Sequence, residues 1–173
     1  MKILYICTHN RCRSILSEAI SNQLADGVIE AKSAGSQPAG VVHPLSLKYL
    51  AQKGFSIGGL QSQSWDDFAE FKPDLVITVC DSAAGEACPL YFSDSLKIHW
   101  GLSDPSKLEG DEAQIEQAFN ECINEISKRV QELKHIVSQG LDKEAFRIAL
   151  EELIDRYSEK VETTQQVSHR VNS

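Results

Sequence analysis

Between Asp74 and Cys80 the chain reads Asp-Leu-Val-Ile-Thr-Val-Cys, a near-continuous apolar run rich in β-formers. It does not alternate between a wet and a dry side, so it fits a strand covered on both faces, as in a parallel sheet. Residues 2–7 form a second short apolar run, ending in Cys7, and a polar loop follows at once. Ile15, Leu16, Ala19, Ile20 and Leu24 then recur at helical spacing, which predicts a helix over 14–25 with Gly27 as its stop. The same reasoning predicts strands over 29–34 and 96–100. It also predicts a helix over 44–53, with Pro44 near its first position and Gly54 just past its end. Strands alternating with helices give an open parallel α/β sheet, in which ligands bind beyond the carboxyl ends of the strands.

Ile115, Phe119, Cys122, Ile126, Val130, Leu133 and Val137 repeat every three or four residues, predicting one long amphipathic helix over 112–137 that Gly140 ends. A last helix is expected from Asp142, a good N-cap, with Leu141 and Phe146 spaced as a hydrophobic staple. Its stripe continues through Ala149, Leu150, Leu153 and Tyr157, and a polar, frayed tail is expected after Ser158. The expected organisation is therefore one domain over 1–140, carrying the chemistry, and a C-terminal helix with its tail over 141–173.

The 173 residues are 42% apolar and 24% charged, which suits a packed globular core and excludes disordered, collagen-like and membrane-spanning classes. Net charge is −8 with no basic block, so neither nucleic acid nor a membrane is an expected partner. A chain this acidic must bind any anion with a local device. The apolar start is too short for a secretory signal, and a cytoplasmic location is expected. There, five cysteines (Cys7, Cys12, Cys80, Cys88 and Cys122) do not suggest a static disulfide framework.

Cys7 lies at the predicted carboxyl end of the first strand, and Arg13 and Ser14 follow after five residues. That spacing lets the backbone of Thr8, His9, Asn10, Arg11 and Cys12 curl around a tetrahedral oxyanion. Its N–H groups and the helix N-terminus then face the anion's oxygens. Arg13 closes the ring as a bidentate clamp, and Ser14 adds a hydroxyl donor. The same donors favour a thiolate, so Cys7 is expected to have a lowered pKa and to act as nucleophile. Asp104, stiffened by Pro105, is the candidate acid for the leaving oxygen. A zinc site built from these cysteines with His9, His43 or His99 does not fit the spacings Cys7-x4-Cys12 and Cys80-x7-Cys88, so no metal is expected. Cys122 reads as core.

Four stretches together resemble the arsenate reductases built on the low-molecular-weight protein tyrosine phosphatase fold. They are the Cys7 to Ser14 loop, Ser33-Ala-Gly35, the stretch from Val79 through Cys80 and Cys88 to Pro89, and His99-Trp-Gly-Leu-Ser-Asp-Pro105. The resemblance runs to about Val137. It implies an open four-stranded parallel sheet flanked by helices on both faces, with nucleophile Cys7, clamp Arg13 and general acid Asp104. It also implies a thiol relay without a bound organic cofactor, in which a Cys7–Cys80 disulfide passes to Cys80–Cys88. Thioredoxin, or alternatively glutaredoxin, then supplies the electrons. The runner-up is a phosphatase of the same fold, hydrolysing phosphomonoesters through a cysteinyl-phosphate. A third alternative is a catalytically silent module that switches through Cys80 and Cys88.

His9 and Arg11 stand where that family has small residues, and their side chains are expected to point outward. Some thioredoxin-coupled members bind potassium through positions matching Asn10, Glu18, Ser33 and an Asp. Gln63 falls at that last position, so no potassium effect is expected.

Overall fold

The computed structural model describes residues 1–80 and 89–171. Its core is a four-stranded, all-parallel sheet in the order β2-β1-β3-β4, with β1 Lys2–Ile6, β2 Glu30–Ala34, β3 Leu75–Thr78 and β4 Leu96–His99. In β1 and β3 consecutive residues are buried (Ile3, Leu4, Tyr5 and Ile6; Leu75, Val76 and Ile77). Neighbouring side chains on a strand point to opposite faces, so both faces of the central pair are covered. The edge strands β2 and β4 alternate or lie half-buried, as their single neighbour dictates.

Helices α1 (Arg13–Leu24), α2 (Pro44–Gln52), α3 (Glu112–Ser138) and α4 (Lys143–Val171) complete the fold. The starts of α2, α3 and α4 each have a local cause. The imidazole of His43 caps α2 by accepting from the Leu45 N–H at 3.2 Å, with Pro44 following it. Asp111 and Gln114 form a reciprocal capping box at the start of α3. Asp142 accepts from the Ala145 N–H at 2.8 Å, the cap expected for α4. Phe119 of α3 is fully buried and its ring lies 5.0 Å from that of Tyr49 in α2. Through Phe146, Leu150, Leu153 and Tyr157, α4 joins the same core, packing on α3 and β4. Its backbone stays helical to Val171, through the stretch expected to fray after Ser158.

Register fixes where a site can form. Ile6 pairs with Ala34 of β2 and with Thr78 of β3, and Thr78 pairs with His99 of β4. The strands therefore end level, and Cys7, Gly35, Val79 and Trp100 form a row just beyond them.

Candidate active site

The loop after β1 is held from outside. The carbonyls of Thr8, His9 and Arg11 accept from the N–H groups of Gln37, Ala39 and His43, each at 2.9 Å. In a trans peptide the N–H points opposite to the C=O. The N–H groups of His9, Asn10 and Cys12 therefore face away from residues 37–43, toward the hollow of the loop. Asn10 is fully buried with φ 47°. Its amide donates to Ser14 Oγ at 2.8 Å and its Oδ1 accepts from the Gln63 N–H at 2.8 Å. Because Ser14 Oγ accepts there, its own hydroxyl hydrogen is left to donate. His9 is exposed and its Nδ1 meets the Gln37 carbonyl at 3.1 Å, so its side chain points outward as expected.

Gly35 is the residue that lets this loop sit down on the sheet. A Cβ there would stand 2.4 Å from the Thr8 carbonyl oxygen and 2.7 Å from that of Cys7. The sequence offered no stronger signal for this role than the Ser33-Ala-Gly35 step after β2. The N-terminus of α1 has no side-chain cap and no acidic residue in its first turn, which leaves it open to an anion.

Arg13, at the first position of α1, reaches across to the loop after β4. Its Nη1 donates to the Leu102 carbonyl at 2.9 Å and its Nη2 lies 3.5 Å from Asp104 Oδ2. Its Nε is buried with no hydrogen-bond partner. An unpaired buried donor costs about 1–3 kcal/mol, and an oxyanion in the hollow would satisfy it. Asp104 caps the single turn Pro105–Lys107. Its Oδ1 is taken by the Ser106 N–H at 2.9 Å and hydroxyl at 2.6 Å, so Oδ2 is the oxygen left facing the guanidinium.

The sulfurs give the main correction. Cys7 is 8% exposed and its thiol hydrogen-bonds with that of Cys80, which follows β3 and is itself 3% exposed. Thr8 Oγ1 lies 3.7 Å from Cys80 Sγ. The Cys80 contact first and burial second push the Cys7 thiol up, while the Arg13 charge pulls it down. This direction is opposite to the lowered pKa expected from the loop donors. Burial likewise pushes Cys12 up to about 11. Cys122, expected in the core, is only half-buried and opens on a cavity beside Asp104. Cys88 lies outside the described residues.

The potassium question has a local answer. Glu18 accepts from the Ser33 hydroxyl at 2.9 Å, and burial raises its pKa, favouring the neutral acid. Asn10 Oδ1 is committed to the Gln63 backbone. With Asn10 Oδ1 committed to a backbone N–H, Glu18 engaged by Ser33, and the amide residue Gln63 in place of an Asp, the donor set does not fit a resident cation. No group of three or more His, Cys, Asp or Glu suited to a metal occurs among the described residues.

Fold and site together define a class: a parallel α/β protein in which two thiols, a helix N-terminus and an arginine converge beyond the sheet. The chain belongs to the low molecular weight phosphotyrosine protein phosphatase family, whose sequence profile matches residues 2–165. It is 34% identical to an arsenate reductase of Halalkalibacterium halodurans over 128 residues, 74% of this chain and 91% of that one. It is 32% identical to an arsenate reductase of Bacillus subtilis, over 76% of this chain and 94% of that one. Among solved structures, an arsenate reductase in its phosphate-binding state superposes with TM-score 0.66 at 26% identity, over 79% of this chain and 98% of that one. A thioredoxin-dependent arsenate reductase of Corynebacterium glutamicum gives 0.63 at 30% identity, over 81% of this chain and 63% of that one.

Proposed function

We propose that this chain is an arsenate reductase that works through Cys7, Cys80 and Cys88 and draws its electrons from thioredoxin in the cytoplasm. The observation that carries the reading is the Cys7–Cys80 thiol contact, because hydrolysis of a phosphomonoester uses one thiol and gives the second nothing to do.

Arsenate enters the hollow between the loop N–H groups, Arg13 and the N-terminus of α1. The Cys7 thiol passes its proton to an arsenate oxygen and the resulting thiolate attacks arsenic, while Asp104 gives a proton to the departing oxygen, which leaves as water. Cys80 then attacks Cys7 Sγ. The sulfur–sulfur bond forms as the sulfur–arsenic bond breaks, and that bond's electron pair stays on arsenic, reducing As(V) to As(III), released as arsenite. Cys88 attacks Cys80 and frees the Cys7 thiolate, and a dithiol such as thioredoxin or glutaredoxin reduces the Cys80–Cys88 disulfide. Two thiols are oxidised for each arsenic reduced. No helix among the described residues is long and apolar enough to cross a membrane.

Arsenate-dependent NADPH consumption with thioredoxin and thioredoxin reductase tests the reading. The wild type is expected to turn over, and Cys7→Ser, Cys80→Ser and Cys88→Ser each to be silent. Turnover that survives Cys80→Ser would defeat the relay. A wild type inactive with both thioredoxin and glutaredoxin, yet able to hydrolyse an aryl phosphate, would make the chain a phosphatase.

A further inference from the structure

Arg129 is a charged residue where a charge is costly: it is 5% exposed, in the middle of α3. Its surroundings account for the expense. Nε donates to Glu125 Oε1 at 2.9 Å, and Nη1 donates to the backbone carbonyl of Trp100. The guanidinium also lies over two rings, 4.3 Å from the centroid of Tyr157 and 6.0 Å from that of Trp100. Tyr157 comes from α4 and Trp100 is the first residue after β4, so one side chain joins the C-terminal helix to the loop that carries Asp104.

That loop is pinned at a few points. Gly101 adopts φ 52°, Leu102 N–H donates to the Val79 carbonyl at 3.1 Å, and the Leu102 carbonyl takes Arg13. Beside it lies a solvent-open cleft of about 410 Å³, bordered by Gly101, Leu102, Ser103, Asp104, Cys122 and Arg129 among others. Trp100, Leu102 and Pro105 are buried and anchor the loop, while Ser103 and Asp104 between them border the cleft, so the path of the backbone there depends on the bonds made on either side. We propose that Arg129, held in place by Tyr157, is a positioning residue that sets the Asp104 loop through the Trp100 carbonyl. The C-terminal helix thereby acts on the proton-donating half of the site and leaves the anion loop alone. This rests on the acid role proposed above for Asp104.

Two readouts on the full chain decide the matter. In amide exchange, Arg129→Lys and Tyr157→Leu are each expected to speed exchange across residues 100–107 at least about tenfold while β1 and α1 keep their protection, since lysine lacks the fork and leucine the ring face. Tyr157→Phe, which keeps that face, restores it. In arsenate turnover, Arg129→Lys is expected to lower kcat about tenfold with KM within twofold of wild type. Added to Asp104→Asn it costs nothing further, because the two act through one proton transfer. Unchanged exchange at 100–107, a loss of protection spread over the whole chain, or losses that multiply in the double variant would each overturn the proposal. If the wild type reduces no arsenate, the proposed function falls, and the exchange comparison still decides whether Arg129 and Tyr157 hold the loop.

Discussion

The two loops that make the site are built by different means. The loop from Cys7 to Ser14 is tied down by its own backbone, carbonyl by carbonyl, against residues 37–43, and Gly35 lets it rest directly on the sheet. The loop from Trp100 to Asp104 borders an open cleft, and its carbonyls at Trp100 and Leu102 are held by arginines that belong to α3 and α1. Binding an anion requires many weak donors in fixed places, which a backbone supplies without side-chain entropy. Delivering a proton requires one carboxyl at one distance, which a side chain from elsewhere can set and adjust.

Arg13 belongs to both loops, so Arg13→Lys is the strongest test of their separation. It is expected to lower kcat/KM for arsenate about 100-fold or more, raising KM and reducing kcat together. An effect on KM alone would mean that its bond to Leu102 contributes nothing to the acid loop. Gly35→Ala touches only the anion loop. The new methyl has backbone oxygens at 2.4 and 2.7 Å as neighbours, and overpacking of this kind costs about 1–3 kcal/mol. Denaturant unfolding should show that loss, with weaker phosphate binding and unchanged amide exchange over 100–107.

The third test concerns the proton shared by the two sulfurs. Cys80→Ala removes the largest influence raising Cys7 and leaves Arg13 to lower it, so the pH midpoint of Cys7 alkylation, followed on its peptide by mass spectrometry, should move down. A midpoint that stays or rises would refute the contact's role. The smallest effect is expected at Glu18. Its folded pKa lies above the unfolded one, so the native state holds the extra proton, and stability falls as pH rises from the ordinary carboxylate range through the raised value. Glu18→Gln keeps an acceptor for Ser33 and should flatten that slope, which thermal melts across pH would measure.

Much of this was legible in the chain itself. The unalternating run at Asp74 to Cys80, the helical spacing after Ser14 and the turn residues located the four strands and four α-helices seen among the described residues. The Cys7-x5-Arg13 spacing located the anion loop. What escaped was decided by neighbours distant in sequence. The proton on Cys7 depends on Cys80, which only the β1–β3 pairing brings alongside. Cys122 follows the apolar stripe of α3, yet the chain passing over it at Ser103 leaves a gap. Arg129 sits three residues after Ile126 on the same stripe, and a charge in that position was the one available hint of a buried bond.

The neighbouring placement of β1 and β3 has a consequence for how such enzymes diversify. Hydrogen-bonded strands run about 5 Å apart, so Cys80, the second residue past β3, comes within a side chain's reach of Cys7, the first past β1. This strand order therefore offers a place for a second reactive group next to the first, on a different loop from the one that holds the anion. The scaffold can thus gain or lose electron transfer without rebuilding the pocket that recognises its anion.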